Sequence, residues 1–314
     1  MQKNNYCVIG GAGFILSHVT DELLRNKNNQ VLVLDNLSSG NKKNINRRAK
    51  FIKYDIRSPH EKLSKILKEY GIKYVFHGAA EPYIPECYEK PKEFFEVNAS
   101  GTMNVLLACK EANVSRIVYY STSEVYGTVM NDFISEDYPT NPQSTYAVSK
   151  LAGDRLCFTL FKEHKIPVII LRQFNCYGPR ETHDYIIPEI ITQLSKGNNL
   201  CLGNINSQRD FIYVEDAARI AVKLIRAGRV GEVYNLGTGR VWSMVEIAQK
   251  IGEVMGIMPR ITVDKKRLRP HDVNYLRADN KKILHITRIK AETDEGEGLL
   301  NTVKYFYEND GWSF

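Results

Sequence analysis

Short apolar runs alternate with longer amphipathic stretches over the first half of the chain. The runs at 6–10, 30–35, 51–54, 73–77, 116–121 and 167–173 are rich in Val, Ile and Tyr and bounded by Gly, Asn or charged residues. Such runs predict buried strands. The stretches 14–26, 91–112 and 144–164 between them carry the helical period. Strand–helix alternation specifies an α/β fold, a doubly wound parallel sheet of the Rossmann kind with helices on both faces. After about residue 175 the rhythm changes: Pro179 and Pro188 interrupt the chain, helices shorten, and strand-like 233–236 and 260–263 stand among loops. This predicts a nucleotide-binding domain over 1–175, with a segment returning to it near 205–230. A smaller mixed α/β lobe is expected over 176–314, with the ligand cleft between the two.

Composition narrows the class. Among 314 residues, 43% are hydrophobic and 25% charged, proportions of globular proteins that set aside collagen-like, disordered and membrane-spanning chains. The apolar stretch 6–19 is broken by glycines and too short to span a bilayer. The residues before it are mostly polar and no small-residue cleavage pattern follows, so no signal peptide is read and a cytoplasmic protein, free of membrane, is expected. The net charge of +7 is spread out, with clusters at 42–53 and 265–269 that lack interleaved aromatics. They read as solvated loops or a small-anion site, and no nucleic-acid partner is expected. The six cysteines stand at least 19 positions apart, without zinc or redox spacing, and read as small core hydrophobes. His77 reads as a packed strand-end side chain. His183 and His271 border the expected sugar site without metal-ligand company, so no metal is expected. Trp242 and Trp312 read as packing anchors.

Gly10, Gly13, Phe14 and Ile15 lie where the first strand turns into the first helix. Such a turn lets backbone approach a pyrophosphate, which then sits at the positive helix N-terminus. Asp35 closes the second strand, 25 positions after Gly10. An acid there binds an adenosine ribose and repels a 2′-phosphate, so NAD is expected rather than NADP. The third glycine of the fingerprint is replaced by Leu16, which is expected to push the helix outward or turn into a pocket, with a change in NAD affinity as the sharper consequence. Asp55 and Ile56 end the third strand, where Asp55 meets the adenine edge or caps a turn.

Ser121, Thr122, Ser123 and Glu124 follow the fifth strand at its carboxyl end, where open α/β sheets bind ligands. Tyr146 and Lys150 are spaced i, i+4, which on a helix puts both on one face. A nearby ammonium is expected to lower the phenol's pKa and make Tyr146 a usable base.

These residues resemble the extended branch of the short-chain dehydrogenase/reductases, specifically the NAD-dependent nucleotide-sugar epimerase/dehydratase family, over essentially the whole chain. The matching segments are 10–15, 35–40, 77–80, Asn98 with 101–102, 121–127, Tyr146 with Lys150, 175–180, 209–216 and 269–270. The resemblance implies that Asn36, Ser39, Gly40, Ala79, Ala80, Asn98 and Ser121 join the NAD site. It implies that Tyr146 takes the proton of a sugar O4, that Lys150 holds the nicotinamide ribose, and that Thr122 hydrogen-bonds O4. Glu81, Asn175, Arg180, Pro188, Leu202, Arg209 and Arg269 would contact a GDP-, UDP- or dTDP-linked sugar, with Asn175, Arg209 and Arg269 on the diphosphate. It further implies a homodimer through a four-helix interface built from 91–112 and 144–164, and a place in surface-glycan synthesis.

The triplet Thr122-Ser123-Glu124 bears on the reaction. Once C4 is a ketone the C5 proton is acidic, and a carboxylate can remove it while the C6 hydroxyl departs. The segments 84–88, 185–191 and 267–276 look most like bacterial nucleotide-sugar 4,6-dehydratases. A 4,6-dehydratase is therefore expected. A C4 dehydrogenase or epimerase that keeps the water is the alternative, and UDP-glucuronate decarboxylases share the triplet. A silent binder of NAD or sugar nucleotide is the reading from another class.

Overall fold

The computed structural model describes residues 4–129, 133–268 and 272–310. Arg269, Pro270, His271 and Trp312 lie outside the described residues. The strands are β1 (Asn4–Ile9), β2 (Asn29–Asp35), β3 (Lys50–Lys53), β4 (Tyr74–His77), β5 (Arg116–Thr122), β6 (Val168–Gln173), β7 (Asn175–Tyr177), β8 (Asn199–Leu202), β9 (Gln208–Tyr213), β10 (Val233–Leu236), β11 (Val241–Ser243), β12 (Arg260–Val263) and β13 (Tyr275–Leu276). The helices are α1 (Phe14–Arg25), α2 (His60–Glu69), α3 (Ile84–Cys87), α4 (Pro91–Phe95), α5 (Thr102–Glu111), α6 (Thr145–His164), α7 (Ile186–Leu194), α8 (Val214–Ala227), α9 (Met244–Met255), α10 (Lys281–Thr287) and α11 (Glu295–Asp310).

Seven strands form one parallel sheet in the order β10-β6-β5-β4-β1-β2-β3. Side chains alternate across it. Tyr6, Val8, Val31, Val33, Val118, Tyr120, Ile169 and Leu171 pack against α1 and α8 on one face. Cys7, Ile9, Leu32, Leu34, Ile117, Tyr119, Val168 and Ile170 pack against α2, α5 and α6 on the other. A third core joins α7, α9 and α11 to β8 and β9 in the smaller lobe.

Two expectations change. Residues 233–236, assigned from sequence to the smaller lobe, are the edge strand β10 of the main sheet, pairing Val233–Leu236 with Ile170–Gln173. The reason is long-range: β6 has a bare edge, and the buried Tyr234, Asn235 and Leu236 fill it. The helix expected over 91–112 is interrupted by a π-turn at Glu96–Gly101, which carries the fully buried Asn98. Such bulges frequently mark functional sites.

Strand order reverses between β1 and β4, which opens a crevice beyond the strands' carboxyl ends. There the helix–strand contact is organised around Leu16. Its side chain is buried against the sheet, and a Cβ on Gly78, just past β4, would stand 2.8 Å from Leu16 Cδ1. Leu16 thus turns inward, and the space it needs is supplied by a glycine on the facing strand end. We expect Leu16→Gly to destabilise the fold by about 3 kcal/mol through the cavity it leaves and the added backbone freedom. Gly78→Leu should cost about 2 kcal/mol through overpacking. In denaturant titrations the double variant should lose less than the sum of the two, by about 1 kcal/mol or more. Strictly additive losses would mean that the two positions do not share one space.

Candidate active site

The glycine turn after β1 packs directly on the end of β4. Gly10 has φ of +90°, and a Cβ there would lie 2.6 Å from the Ala79 nitrogen. Gly13 precedes α1 without a side-chain cap, leaving the first amides of the helix for an anion. The Asp35 carboxylate accepts from the amides of Ala12 at 3.0 Å and Leu37 at 2.8 Å. It thereby ties the glycine turn to the 36–40 loop, where a Cβ on Gly40 would stand 2.9 Å from it. Asp55 caps its turn by accepting from the Arg57 amide at 2.9 Å, and it also lines the cavity. The Arg57 guanidinium holds its carboxyl down at about 2. A tight glycine cradle, open helix amides and a fixed acid at the ribose position suit NAD.

One cavity of about 430 Å³ runs from this turn to the smaller lobe. Of the residues expected from sequence, the structure brings to it Gly10, Gly13, Phe14, Ile15, Asp35, Asn36, Ser39, Gly40, Asp55, Ile56, Ala79, Ala80, Glu81, Ser121, Thr122, Ser123, Glu124, Tyr146, Lys150, Asn175, Leu202 and Arg209. Three do not reach it. Asn98 is consumed inside the fold: its side chain accepts from the Glu81 amide at 2.8 Å and donates to the Glu81 carbonyl at 3.0 Å and to Ser149 Oγ at 2.9 Å. Arg180, with φ of +70°, turns to α1 and pairs with Asp21 at 2.6 Å. Pro188 is buried within α7. Glu81 lines the cavity but faces the cofactor loop rather than the smaller lobe, with Ser38 Oγ donating to it at 3.3 Å.

The reactive end is built on the turn after β5 and the first turns of α6. Thr122 Oγ1 accepts from the Glu124 amide at 3.3 Å, capping the 3-10 turn that carries Ser123 and Glu124. Ser144 caps α6 by accepting from the Ala147 amide at 3.1 Å, which sets Tyr146 and Lys150 on one face. Burial raises the Tyr146 phenol well above its ordinary range, a hydrogen bond with Thr122 opposes this, and the Glu124 charge adds to the rise. The expectation that Lys150 lowers this phenol is corrected here. Its ammonium donates to the Tyr120 carbonyl and lies 4.5 Å over the Tyr119 ring, and burial pushes it down to about 8. His77 is a packed residue, paired with Thr102 at 3.0 Å and held down to about 3 by burial and by Lys150.

Sequence reasoning missed several lining residues: Gln173, Glu181, Tyr185 and Arg267. Glu181 lines the cavity with Oε2 buried and unpartnered, and burial holds its carboxyl well above the usual range. His183 stacks on Tyr83 at 5.1 Å and meets Tyr185 edge-on at 5.7 Å. Glu181, His183 and Tyr185 sit in the loop between Pro179 and Pro188, where no periodicity signals orientation, whereas Gln173 ends β6 and Arg267 follows β12. Among the described residues, no group of three His, Cys, Asp or Glu could hold a metal, and no helix is long and apolar enough to cross a membrane.

Comparison with known proteins bears on these features. The NAD dependent epimerase/dehydratase family matches residues 6–237. A trifunctional UDP-glucose 4,6-dehydratase/UDP-4-keto-6-deoxy-D-glucose 3,5-epimerase/UDP-4-keto-L-rhamnose-reductase of Arabidopsis thaliana is 31% identical over 99% of this chain, which spans about half (48%) of that relative. A putative UDP-glucose 4-epimerase of Methanocaldococcus jannaschii is 32% identical, with 96% of this chain and 98% of the relative aligned. The crystal structure of a dTDP-glucose 4,6-dehydratase from Streptomyces venezuelae with NAD bound superposes with a TM-score of 0.90, at 30% identity and 98% coverage of both chains. With its glycine cradle, ribose-side acid and Tyr-Lys pair in one crevice, the chain belongs to the NAD dependent epimerase/dehydratase family and is an NAD-dependent enzyme.

Proposed function

We propose that this enzyme oxidises the C4 hydroxyl of a nucleoside-diphosphate sugar and then expels water from C5 and C6, giving a 4-keto-6-deoxy sugar. The observation that carries the reading is the position of Glu124: a carboxylate on the same turn as Thr122, close enough for its charge to act on the Tyr146 phenol. Bound NAD supplies the acceptor for the C4 hydride and its return. Tyr146, in its phenolate form, takes the O4 proton, with Thr122 orienting O4. Glu124 removes the C5 proton once C4 is a ketone and passes it to the C6 hydroxyl, which leaves as water; the hydride taken from C4 would then be returned to C6 and a solvent proton to C5. Asn175 and Arg209 hold the diphosphate, Arg209 by charge-assisted hydrogen bonds. Gly10, Gly13 and Asp35 hold the cofactor's pyrophosphate and ribose, and Lys150 its nicotinamide ribose.

A second reading has its own support. Ser123 is a hydroxyl beside Glu124 and a poor acid for a departing hydroxide, and a 4-epimerase stands among the relatives. Under it the enzyme stops at the 4-keto sugar or returns it as the C4 epimer. In either case, exposed Phe95 and Val148, at 46% and 45% accessibility on α4 and α6, suit burial by a second copy of the chain. Sedimentation should then give twice the monomer mass, and a monomer would remove the dimer.

Incubation with NAD and a panel of GDP-, UDP- and dTDP-sugars, read by product mass and NADH absorbance, separates the outcomes. The proposal expects a product one water lighter and no lasting NADH. A product two hydrogens lighter, with stoichiometric NADH, would instead establish a dehydrogenase, and an isomer of equal mass an epimerase. Tyr146→Phe should form no NADH, whereas Glu124→Gln should oxidise C4 and accumulate the 4-keto sugar. Deoxy product from Glu124→Gln at the wild-type rate would remove Glu124 as the C5 base.

Lys150 gives a pH signature. In the unfolded chain it keeps its proton to about pH 10.5, while in the folded chain it releases it from about pH 8. Between these values the unfolded state binds more protons, so this residue's contribution to stability rises with pH. Wild type should therefore gain in Tm on Lys150→Met as pH goes from about 7 to about 9. A constant gap would show that Lys150 does not titrate there.

A further inference from the structure

Several buried polar atoms without partners belong to the cavity wall. Among the described residues, four such side-chain atoms lie on lining residues: Tyr120 Oη, Gln173 Oε1, Glu181 Oε2 and His183 Nε2. An unpaired buried donor or acceptor is destabilising, and a bound group that pairs with it gains affinity from the difference. Glu181 and His183 lie on the loop after β7, whereas Tyr120 and Gln173 lie on neighbouring strands, where register fixes their relation. Tyr120 is paired with Leu171, and Thr122 with Gln173. Alternation puts Tyr120, Thr122 and Gln173 on one face of the sheet, and all three line the cavity. Gln173 Nε2 donates to the carbonyls of Phe174 at 3.0 Å and Leu236 at 3.5 Å, which fixes the amide and leaves Oε1 an acceptor without a donor. Burial raises the Tyr120 phenol far above its ordinary range, so its hydroxyl keeps the proton and can donate.

We propose that Gln173 and Tyr120 seat the carboxamide of bound NAD, Gln173 Oε1 accepting from its N–H and Tyr120 Oη donating to its carbonyl. The inference rests on the placement of the nicotinamide ribose at Lys150 and of the reacting hydroxyl at Thr122 and Tyr146. One uncharged acceptor and one uncharged donor match a primary amide, which offers an N–H and a carbonyl side by side. The carboxamide stands on the ring carbon next to the one that takes the hydride. A ring whose reacting carbon faces a hydroxyl held by Thr122 therefore carries its carboxamide into the neighbourhood of that residue, and Gln173 is in register with Thr122. Lys150 agrees with this placement. Its ammonium donates to the Tyr120 carbonyl, so the group assigned to the nicotinamide ribose touches the residue whose side chain is assigned to the carboxamide. Two such bonds would fix the rotation of the ring about its glycosidic bond, and with it the face turned to the sugar. Neither side chain takes part in the sugar chemistry itself.

The test is calorimetric titration of the full chain, cleared of nucleotide, with NAD, 3-acetylpyridine adenine dinucleotide and ADP-ribose. The acetylpyridine analogue has a methyl group in place of the amide NH2 and keeps the carbonyl, whereas ADP-ribose lacks the ring. In wild type the analogue should bind about tenfold more weakly than NAD, for want of the N–H that reaches Gln173. Tyr120→Phe removes only an unpaired hydroxyl, so the cofactor-free variant should melt no lower than wild type. It should nonetheless bind NAD and the analogue about tenfold more weakly, and ADP-ribose as wild type does. Gln173→Met should bring NAD to the affinity of the analogue; should that variant unfold, the wild-type comparison of NAD with the analogue still decides Gln173. An analogue that binds wild type as tightly as NAD would overturn the Gln173 contact. Tyr120→Phe that loses ADP-ribose together with NAD, or loses neither, would overturn the Tyr120 contact. No sugar is present, so failure here is distinct from failure of the C4-oxidation reading, which the product assay decides.

Discussion

A buried ion pair beneath the turn that bears Glu124 is the constraint on which the Tyr146 end of the cavity depends. Asp154 on α6 accepts from Arg172 on β6 through two bonds of 2.9 and 3.2 Å, and from Ser121 Oγ on β5 at 3.0 Å. Arg172 also donates to Tyr126 at 2.8 Å, and Tyr126 donates to Asn235 on β10 at 2.8 Å. A buried pair is weak grounds for stability by itself, because desolvation offsets much of the attraction. What this one supplies is arrangement. It is satisfied at both ends, so α6, β5, β6 and β10 can meet in only one way. Tyr126 closes the turn that bears Ser123 and Glu124, and Ser121 precedes Thr122. The relative placement of Thr122, Glu124 and the Tyr146 helix is therefore held from below by groups that do not line the cavity, Ser121 excepted.

The cofactor end is held differently, by close backbone approach rather than charge. Gly10 lies against Ala79, and Asp35 binds the amides on either side of the crevice. The Leu16–Gly78 contact belongs to the same surface. A fingerprint that lacks its third glycine still closes here because the steric room has moved to the neighbouring strand end. Helix–strand spacing is a property of the pair of positions, and either can be the small one.

How legible this was in the sequence follows from the range of the interactions involved. The six strands read from the local pattern lie within one or two residues of β1 to β6, because all but the edge strand β3 are buried on both faces and each is bounded by turn residues. Asp35 and the Tyr146–Lys150 pair were legible as spacing within a single βα unit or helix. The failures are all long-range. Strand β10 depends on a bare edge at β6, and Arg180 turns away because Asp21 on α1 waits for it. The direction of Lys150 depends on Tyr119 and Tyr120, some 30 positions earlier. Asn98 sat in a matching segment, yet its partners at Glu81 and Ser149 make it a brace between two cavity walls. Glu181 had no local signal, since its significance lies in what does not pair with it.

The two ends of the cavity together give it a direction. Arg209 and Arg267 stand in the smaller lobe, and Glu124 stands beside Tyr146. Arg209 is already in contact with Asp272 at 3.5 Å, and Arg267 with Glu189 at 2.6 Å, so both guanidiniums are pre-positioned by acids of their own lobe. On the proposed function, a ligand with a diphosphate in its middle and a sugar ring at its end would place the diphosphate toward Arg209 and Arg267 and the ring toward Tyr146. An acid beside the phenol has a cost as well: burial and the Glu124 charge both favour the protonated form of Tyr146, and only the hydrogen bond with Thr122 opposes them, so the phenol must lose its own proton before it can accept one from a hydroxyl.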